Sequence, residues 1–194
     1  MITELRARDS FLFWTGALML LGLIVATLLS ISDQRLILGI NPWIKPMKFL
    51  ISITILLWSI AWFMPETEPS LVRLALVRWT VAVAMLLEIV LIVAQAARGT
   101  TSHFNANTAF DLAVFNIMGA AITASSVAVV LFLWILRRDT PPARAGYLWG
   151  IRLGVALFII ASVIPGFLMV ANNAHSIPGP DGGRGLPFVN WSVD

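Results

Sequence analysis

Five apolar stretches dominate this chain, each close to or above the roughly 20 residues a helix needs to cross a hydrocarbon core about 30 Å thick. They run over about 11–31, 47–64, 71–97, 109–136 and 147–171. Backbone amides in lipid must find their partners within the segment, so stretches of this length form helices rather than strands. The alternating segments of about ten residues that build a membrane barrel are absent from the sequence. The fold class expected is all-α, a polytopic transmembrane bundle of about five helices in one domain. Residues 172–194 form a Gly/Pro-rich tail beyond it.

Composition agrees. Of the 194 residues 59% are hydrophobic and 12% charged, about half the charge of an average soluble domain. The formal net charge is +3, but the basic residues are scattered at the ends of apolar runs. That pattern carries membrane topology and speaks against a nucleic-acid partner. With no cysteine, disulfides, thiolate metal sites, iron–sulfur clusters and cysteine nucleophiles are excluded. Trp14, Trp43 and Trp149 stand near segment ends, where an amphipathic ring suits the headgroup region. The first run follows Arg6 and Arg8 as a signal peptide would, yet it is too long for a signal core and reads as an uncleaved helix.

Residues 65–70 and 139–146 read as short polar turns, and Pro65 and Pro141 mark the ends of the runs before them. The longer stretch 32–48 holds Asn41-Pro42-Trp43 and Lys45-Pro46, and is expected to lie at the interface or dip into the bundle. Counting Lys and Arg on alternate sides places eight (Arg6, Arg8, Arg73, Arg78, Arg137, Arg138, Arg144, Arg152) with the N terminus. Five (Arg35, Lys45, Lys48, Arg98, Arg184) fall on the other side. The richer side faces the cytoplasm by the positive-inside rule, which puts the C terminus outside.

An ionisable residue deep in a membrane helix costs roughly 2.5–3.5 kcal/mol on insertion scales and marks a functional site by default. Glu88 is such a residue, set among Leu86, Leu87, Ile89 and Val90. Gln95 follows two turns later and Arg98 three residues on, so acid, amide and base share one stripe that must face the bundle interior. A buried structural cluster explains that stripe as well as a ligand or proton site does. In the fourth run Asp111 sits at the start, and Asn116, Thr123 and Ser126 share a face with Gly119 and Ala120 nearby, a pattern of helix packing. Between the two runs lies Arg98-Gly99-Thr100-Thr101-Ser102-His103-Phe104-Asn105.

The topology brings both histidines, His103 and His175, to the outer side, together with Arg98, Asp111, Asn172, Asn173 and Asp181, and with Lys45 and Lys48 just ahead of the second helix. Two histidines and an aspartate are chemically enough for an open metal site, but the spacing follows no ligand pattern, so no metal is expected. A haem sandwich wants histidines on facing helices. A hydrolase assembled from Ser102, His103 and Asp111 lacks a nucleophile-elbow motif. No cofactor and no catalytic residue can be assigned. Pro165-Gly166 interrupts the fifth run and is either a kink lining a cavity or a tolerated membrane proline.

Several segments together are similar to an uncharacterised family of bacterial multi-pass integral membrane proteins. These are Asn41-Pro42-Trp43-Ile44-Lys45-Pro46-Met47-Lys48-Phe49, then Glu88 with Gln95, Arg98-Gly99, Ser102-His103-Phe104-Asn105, Asp111 and Met118-Gly119. His175-Ser176, Gly179-Pro180-Asp181-Gly182-Gly183, Gly185-Leu186-Pro187 and Asn190-Trp191-Ser192 complete the pattern. The resemblance implies where a site lies and nothing about its chemistry. It also implies that this chain corresponds to the N-terminal part of such a protein, whose relatives continue into a further His-containing segment. The tail's own glycines and prolines suit a loop that caps a cavity.

Three functions are compatible with these residues. The first is a site for a small polar ligand or lipid headgroup at the outer end of helices three to five, built from Glu88, Gln95, Arg98, His103, Asn105, Asp111, His175, Lys45 and Lys48. The second is an accessory subunit, partnered by another membrane subunit or by copies of itself, with a purely structural cluster. The third is a transporter or channel component, which needs a polar path through the whole membrane thickness; neither an inverted repeat nor the apolar cytoplasmic half supports one.

Overall fold

The computed structural model describes residues 1–67, 70–136 and 142–171. Within them the chain is helical, with two isolated bridges and no strand. A short amphipathic α1 (Ile2–Arg8) leads into α2 (Ser10–Ser32), α3 (Ile44–Phe63), α4 (Leu71–Arg98), α5 (Ala109–Ile135) and α6 (Pro142–Ala171). A 3-10 turn, Met64–Glu66, closes α3. Five of these helices are long and apolar enough to cross a membrane. This is the architecture of an integral membrane bundle, and it agrees with the all-α class expected from the sequence.

The starts of the helices differ from the expected ones for one physical reason. The second and fifth runs are expected to begin at about 47 and 147, past the prolines, but in a first helical turn proline forfeits no hydrogen bond. Pro46 therefore lies inside α3, which begins at Ile44, and α6 begins at Pro142 itself. Lys45 and Lys48 are consequently in the first turns of α3 rather than ahead of it.

Helix ends are closed by side chains and glycine. Asp9 caps α2, its carboxylate accepting from the Leu12 amide at 3.0 Å. Gly99 takes a left-handed φ of 75° after α4, and the amides of Gly99 and Thr100 return to the carbonyls of Ala96 and Gln95. That is the αL glycine termination with paired back-bonds, which only glycine adopts without steric penalty. At the start of α5 the Thr108 hydroxyl accepts from the Asp111 amide at 3.1 Å and donates to the Asp111 carboxylate at 2.6 Å.

Neighbours in sequence are neighbours in space. α2 packs chiefly on α3 and α4 on α5, with α3 against α4 and α6 against α5. Gly16 allows α2 and α3 to close, because a Cβ there would collide with the Trp58 indole, whose N–H donates to the Phe13 carbonyl at 3.1 Å. α4 is the most buried of the five. Its buried stripe, Val77, Val81, Ala84, Met85, Glu88, Ile92 and Gln95 among others, recurs at three- and four-residue steps. Among the described residues the stripe expected on α5 lies mostly on the surface of the bundle. Asn116 and Thr123 are exposed and Gly119 meets nothing. The Thr123 and Ser126 hydroxyls donate to carbonyls one turn back in their own helix at 2.7 and 2.8 Å, rather than across to another.

The connections define two faces. Residues Thr67 and Leu136 form a bridge that joins the α3–α4 and α5–α6 links on the amino-terminal face. On the far face the Arg35 guanidinium donates to the Ala97 carbonyl at 3.0 Å, tying the α2–α3 link to the end of α4. That link is firmly built. Asn41 donates to the carbonyls of Ser30 and Asp33 at 3.0 and 2.8 Å, and Trp43 Nε1 donates to Asp33 at 2.9 Å. Ile37 and Ile40 pair across Leu38 and Gly39, both at positive φ, as a tight two-residue hairpin requires.

Candidate functional site

At the far face the expected residues separate into two groups. The first is complete in itself. Asp111 accepts from Gln95 Nε2 at 3.0 Å, from Arg98 Nη1 at 2.6 Å and from Thr108, and Arg98 also donates to Gln95 Oε1. Gln95 and Asp111 are buried, and the Arg98 guanidinium lies over the Phe110 ring at 4.7 Å. This group locks the end of α4 to the start of α5. Arg98 is thus spent on Asp111 rather than turned toward a ligand. Asn105, also buried, has an equally structural role. Its amide donates to Thr100 Oγ1 and the Thr101 carbonyl at 2.8 and 2.9 Å, and its carbonyl accepts from the Asn107 amide, so it shapes the α4–α5 loop.

The second group is unfinished. Glu88 is 3% exposed. It lies ten residues before Arg98, about 15 Å along the helix at 1.5 Å per residue. The α4–α5 loop folds back over it, so that His103 Nε2 comes to 3.7 Å from Glu88 Oε1. The other carboxylate oxygen, Oε2, is buried and has no hydrogen-bond partner among the described residues. On the opposite side of the imidazole, Nδ1 shares a 2.9 Å hydrogen bond with Ser102 Oγ. Phe49 of α3 tilts against the ring with centroids 5.8 Å apart. Burial and the nearby Lys45 ammonium push the His103 imidazole down to about 3, so it is neutral near pH 7. Immediately after it, Phe104 holds a positive φ of 52°, a conformation that costs a bulky residue of order 1 kcal/mol or more.

A cavity of about 160 Å³ opens beside this group. Lys45, Lys48, Ser102 and His103, with Asn41, Thr100 and Thr101, supply its polar lining, and Ile40, Phe49 and Ile92 are among its apolar walls. Two cations and a neutral imidazole on an apolar cup suit an anionic group carried on an apolar body. No group of three or more His, Asp or Glu side chains that could hold a metal ion occurs among the described residues. His175, Asn172, Asn173, Asp181 and the whole tail lie outside the described residues, as do Arg137, Arg138 and the side chains of Pro165 and Gly166.

Some polar groups escaped the sequence reading. Asp9 is buried on the amino-terminal face and pairs with Arg78 Nε at 2.7 Å; Glu66 pairs with Arg144 at 2.8 Å. An aspartate directly before an apolar run is a helix-start signal that would have found the first. Nothing in the spacing of Glu66 and Arg144 announces the second. Asp33 is a third. Its hydrogen bonds from Arg35 hold the carboxyl well below the usual carboxylate range.

No family model matches the chain, and neither a curated protein nor a solved structure is similar to it beyond chance.

Proposed function

We propose that this chain is a membrane-embedded binding protein whose cavity at the far, extracytoplasmic face takes a small anionic molecule or the headgroup of an anionic lipid. The observation that carries the reading is a cavity with Lys45, Lys48 and His103 in its lining, behind which the buried Glu88 carboxylate faces the His103 imidazole. Buried polar atoms without partners are rare, and Glu88 Oε2, which has no hydrogen-bond partner among the described residues, belongs to the carboxylate that faces His103, a lining residue. The host membrane, on the family resemblance, is a bacterial cytoplasmic membrane. The eight-to-five excess of Lys and Arg favours a cytoplasmic N terminus.

Between Glu88 and Arg78 the buried face of α4 is Val81, Ala82, Ala84 and Met85. That apolar band supports a site confined to one face over a path through the membrane. Native mass spectrometry of the purified chain, titrated with phosphatidylglycerol, phosphatidylcholine and inorganic phosphate, tests the proposal. An anionic species is expected to be retained, and Lys45→Ala with Lys48→Ala to lose about tenfold in affinity, roughly 1.4 kcal/mol. Equal retention of phosphatidylcholine and phosphatidylglycerol by both proteins, with no phosphate bound, would remove the proposal.

A further inference from the structure

We infer that Ser102, His103 and Glu88 form a nucleophile relay, and that the cavity's occupant is a carboxylic ester of an anionic alcohol, which the protein cleaves at Ser102. The inference rests on the cavity being the binding site proposed above. It is carried by the order of contacts. Ser102 Oγ meets one imidazole nitrogen at 2.9 Å, and the buried Glu88 carboxylate faces the other at 3.7 Å. A hydroxyl bonded to a base, with the base oriented by a third group, defines an activated nucleophile whatever the fold. The looser of the two distances is of the kind that tightens once substrate excludes water. The acid is Glu88 and not Asp111, which is fully engaged with Gln95, Arg98 and Thr108.

Three further observations agree. Ser102 and His103 both line the cavity, although Ser102 is 3% exposed to bulk solvent. The positive φ of Phe104, one residue past the base, is backbone strain of the sort that clusters at reactive sites. Glu88 Oε2 is a buried carboxylate oxygen with no hydrogen-bond partner among the described residues.

The chemistry balances without a cofactor. Ser102 Oγ attacks the ester carbonyl carbon while its proton passes to His103 Nδ1; the Glu88 carboxylate opposite Nε2 offsets the burial and the Lys45 charge that oppose the imidazolium, and Lys45, in the cavity lining, faces the oxyanion. The bond from carbonyl carbon to alcohol oxygen breaks, and the imidazolium returns the proton to the departing alkoxide. A water molecule, deprotonated by His103, then attacks the acyl-serine; the acid leaves and Ser102 regains its proton. Glu88 is a positioning residue, since it acts through the imidazole.

The full chain in nanodiscs, treated with an alkyl fluorophosphonate and mapped by peptide mass spectrometry, tests the relay. A single adduct on Ser102 is expected, absent in Ser102→Ala and formed at least 100-fold more slowly in His103→Gln. Glu88→Gln should lower the maximal labelling rate without changing the half-saturating reagent concentration, and Glu88→Asp should recover part of it, which a merely structural role would not produce. No Ser102 adduct, or one indifferent to His103→Gln, overturns the relay. Substrate source is separated by two arms. Fatty acid freed from phosphatidylglycerol vesicles identifies a lipid ester, and acetate freed from glycerol-phosphate acetate a soluble one. Release from neither overturns the ester class. Retained binding of phosphatidylglycerol or phosphate without labelling defeats the relay alone. Labelling without Lys45- and Lys48-dependent binding defeats the binding reading instead.

Discussion

The two faces of the bundle handle buried charge in opposite ways. On the amino-terminal face Asp9 caps α2 and meets Arg78, while Glu66 meets Arg144 through both carboxylate oxygens at 2.8 and 2.9 Å. There, both acids are satisfied and the ion pairs tie α2 to α4 and the α3–α4 link to α6. On the far face the Gln95–Arg98–Asp111 group does the same work for α4 and α5. Two turns earlier on α4, Glu88 stands 3.7 Å from His103, and its other oxygen has no hydrogen-bond partner among the described residues. Buried polarity that holds helices together is closed on itself, whereas buried polarity kept for a ligand is left incomplete.

That contrast is easiest to break by substitution. The largest stability loss is expected for Asp9→Ala. It removes a helix cap and strands Arg78, for about 3 kcal/mol in all, visible as a lower Tm in detergent with anion binding unchanged. Glu66→Gln follows, at about 1 kcal/mol, because the Arg144 side chain is 52% exposed and its attraction is screened. Glu88→Gln should be nearly neutral for folding, within about 1 kcal/mol, since an amide keeps the shape, no hydrogen bond to the carboxylate is lost, and the lost attraction to the nearby Lys45 is offset by the easier burial of a neutral group. A drop as large as that of Asp9→Ala would make Glu88 a structural residue and erase the difference between the faces.

A pH titration sharpens the same comparison. The His103 imidazole is held at about 3 in the folded chain against 6.5 for the free side chain. Between those values the unfolded state takes up a proton that the folded state refuses, so stability falls as pH drops below about 6.5. The slope is at most about 1.4 kcal/mol per pH unit, and less with the side chain partly exposed. Thermal melts between pH 7 and 5 should show it, and His103→Gln should flatten it. An unchanged slope in that variant would mean that His103 is protonated in the folded state.

Much of the site was legible because membrane insertion makes charge informative. Glu88 and Gln95 stood out as costly residues on a common helical stripe, and both are buried in the interior as that cost demands. What could not be read was partner choice. Spacing along α4 linked Glu88 with Arg98, yet Arg98 turned to Asp111 and Glu88 met His103, because the α4–α5 loop folds back into the bundle. Gly99 announces that the chain leaves the helix there, but not the depth to which the following residues return. The stripe of α5 lies mostly exposed among the described residues, since periodicity gives a face and not the neighbour it meets.

The sequence alone determined that this chain is a set of apolar helices with few, costly charges, because the lengths of its apolar runs and the need to satisfy backbone amides in lipid leave no other class open. Tertiary structure decided which charges close on one another and which are left facing a cavity. Those pairings depend on side chains separated by up to dozens of residues meeting within a few ångströms, and helical periodicity constrains direction around an axis but not distance across the bundle.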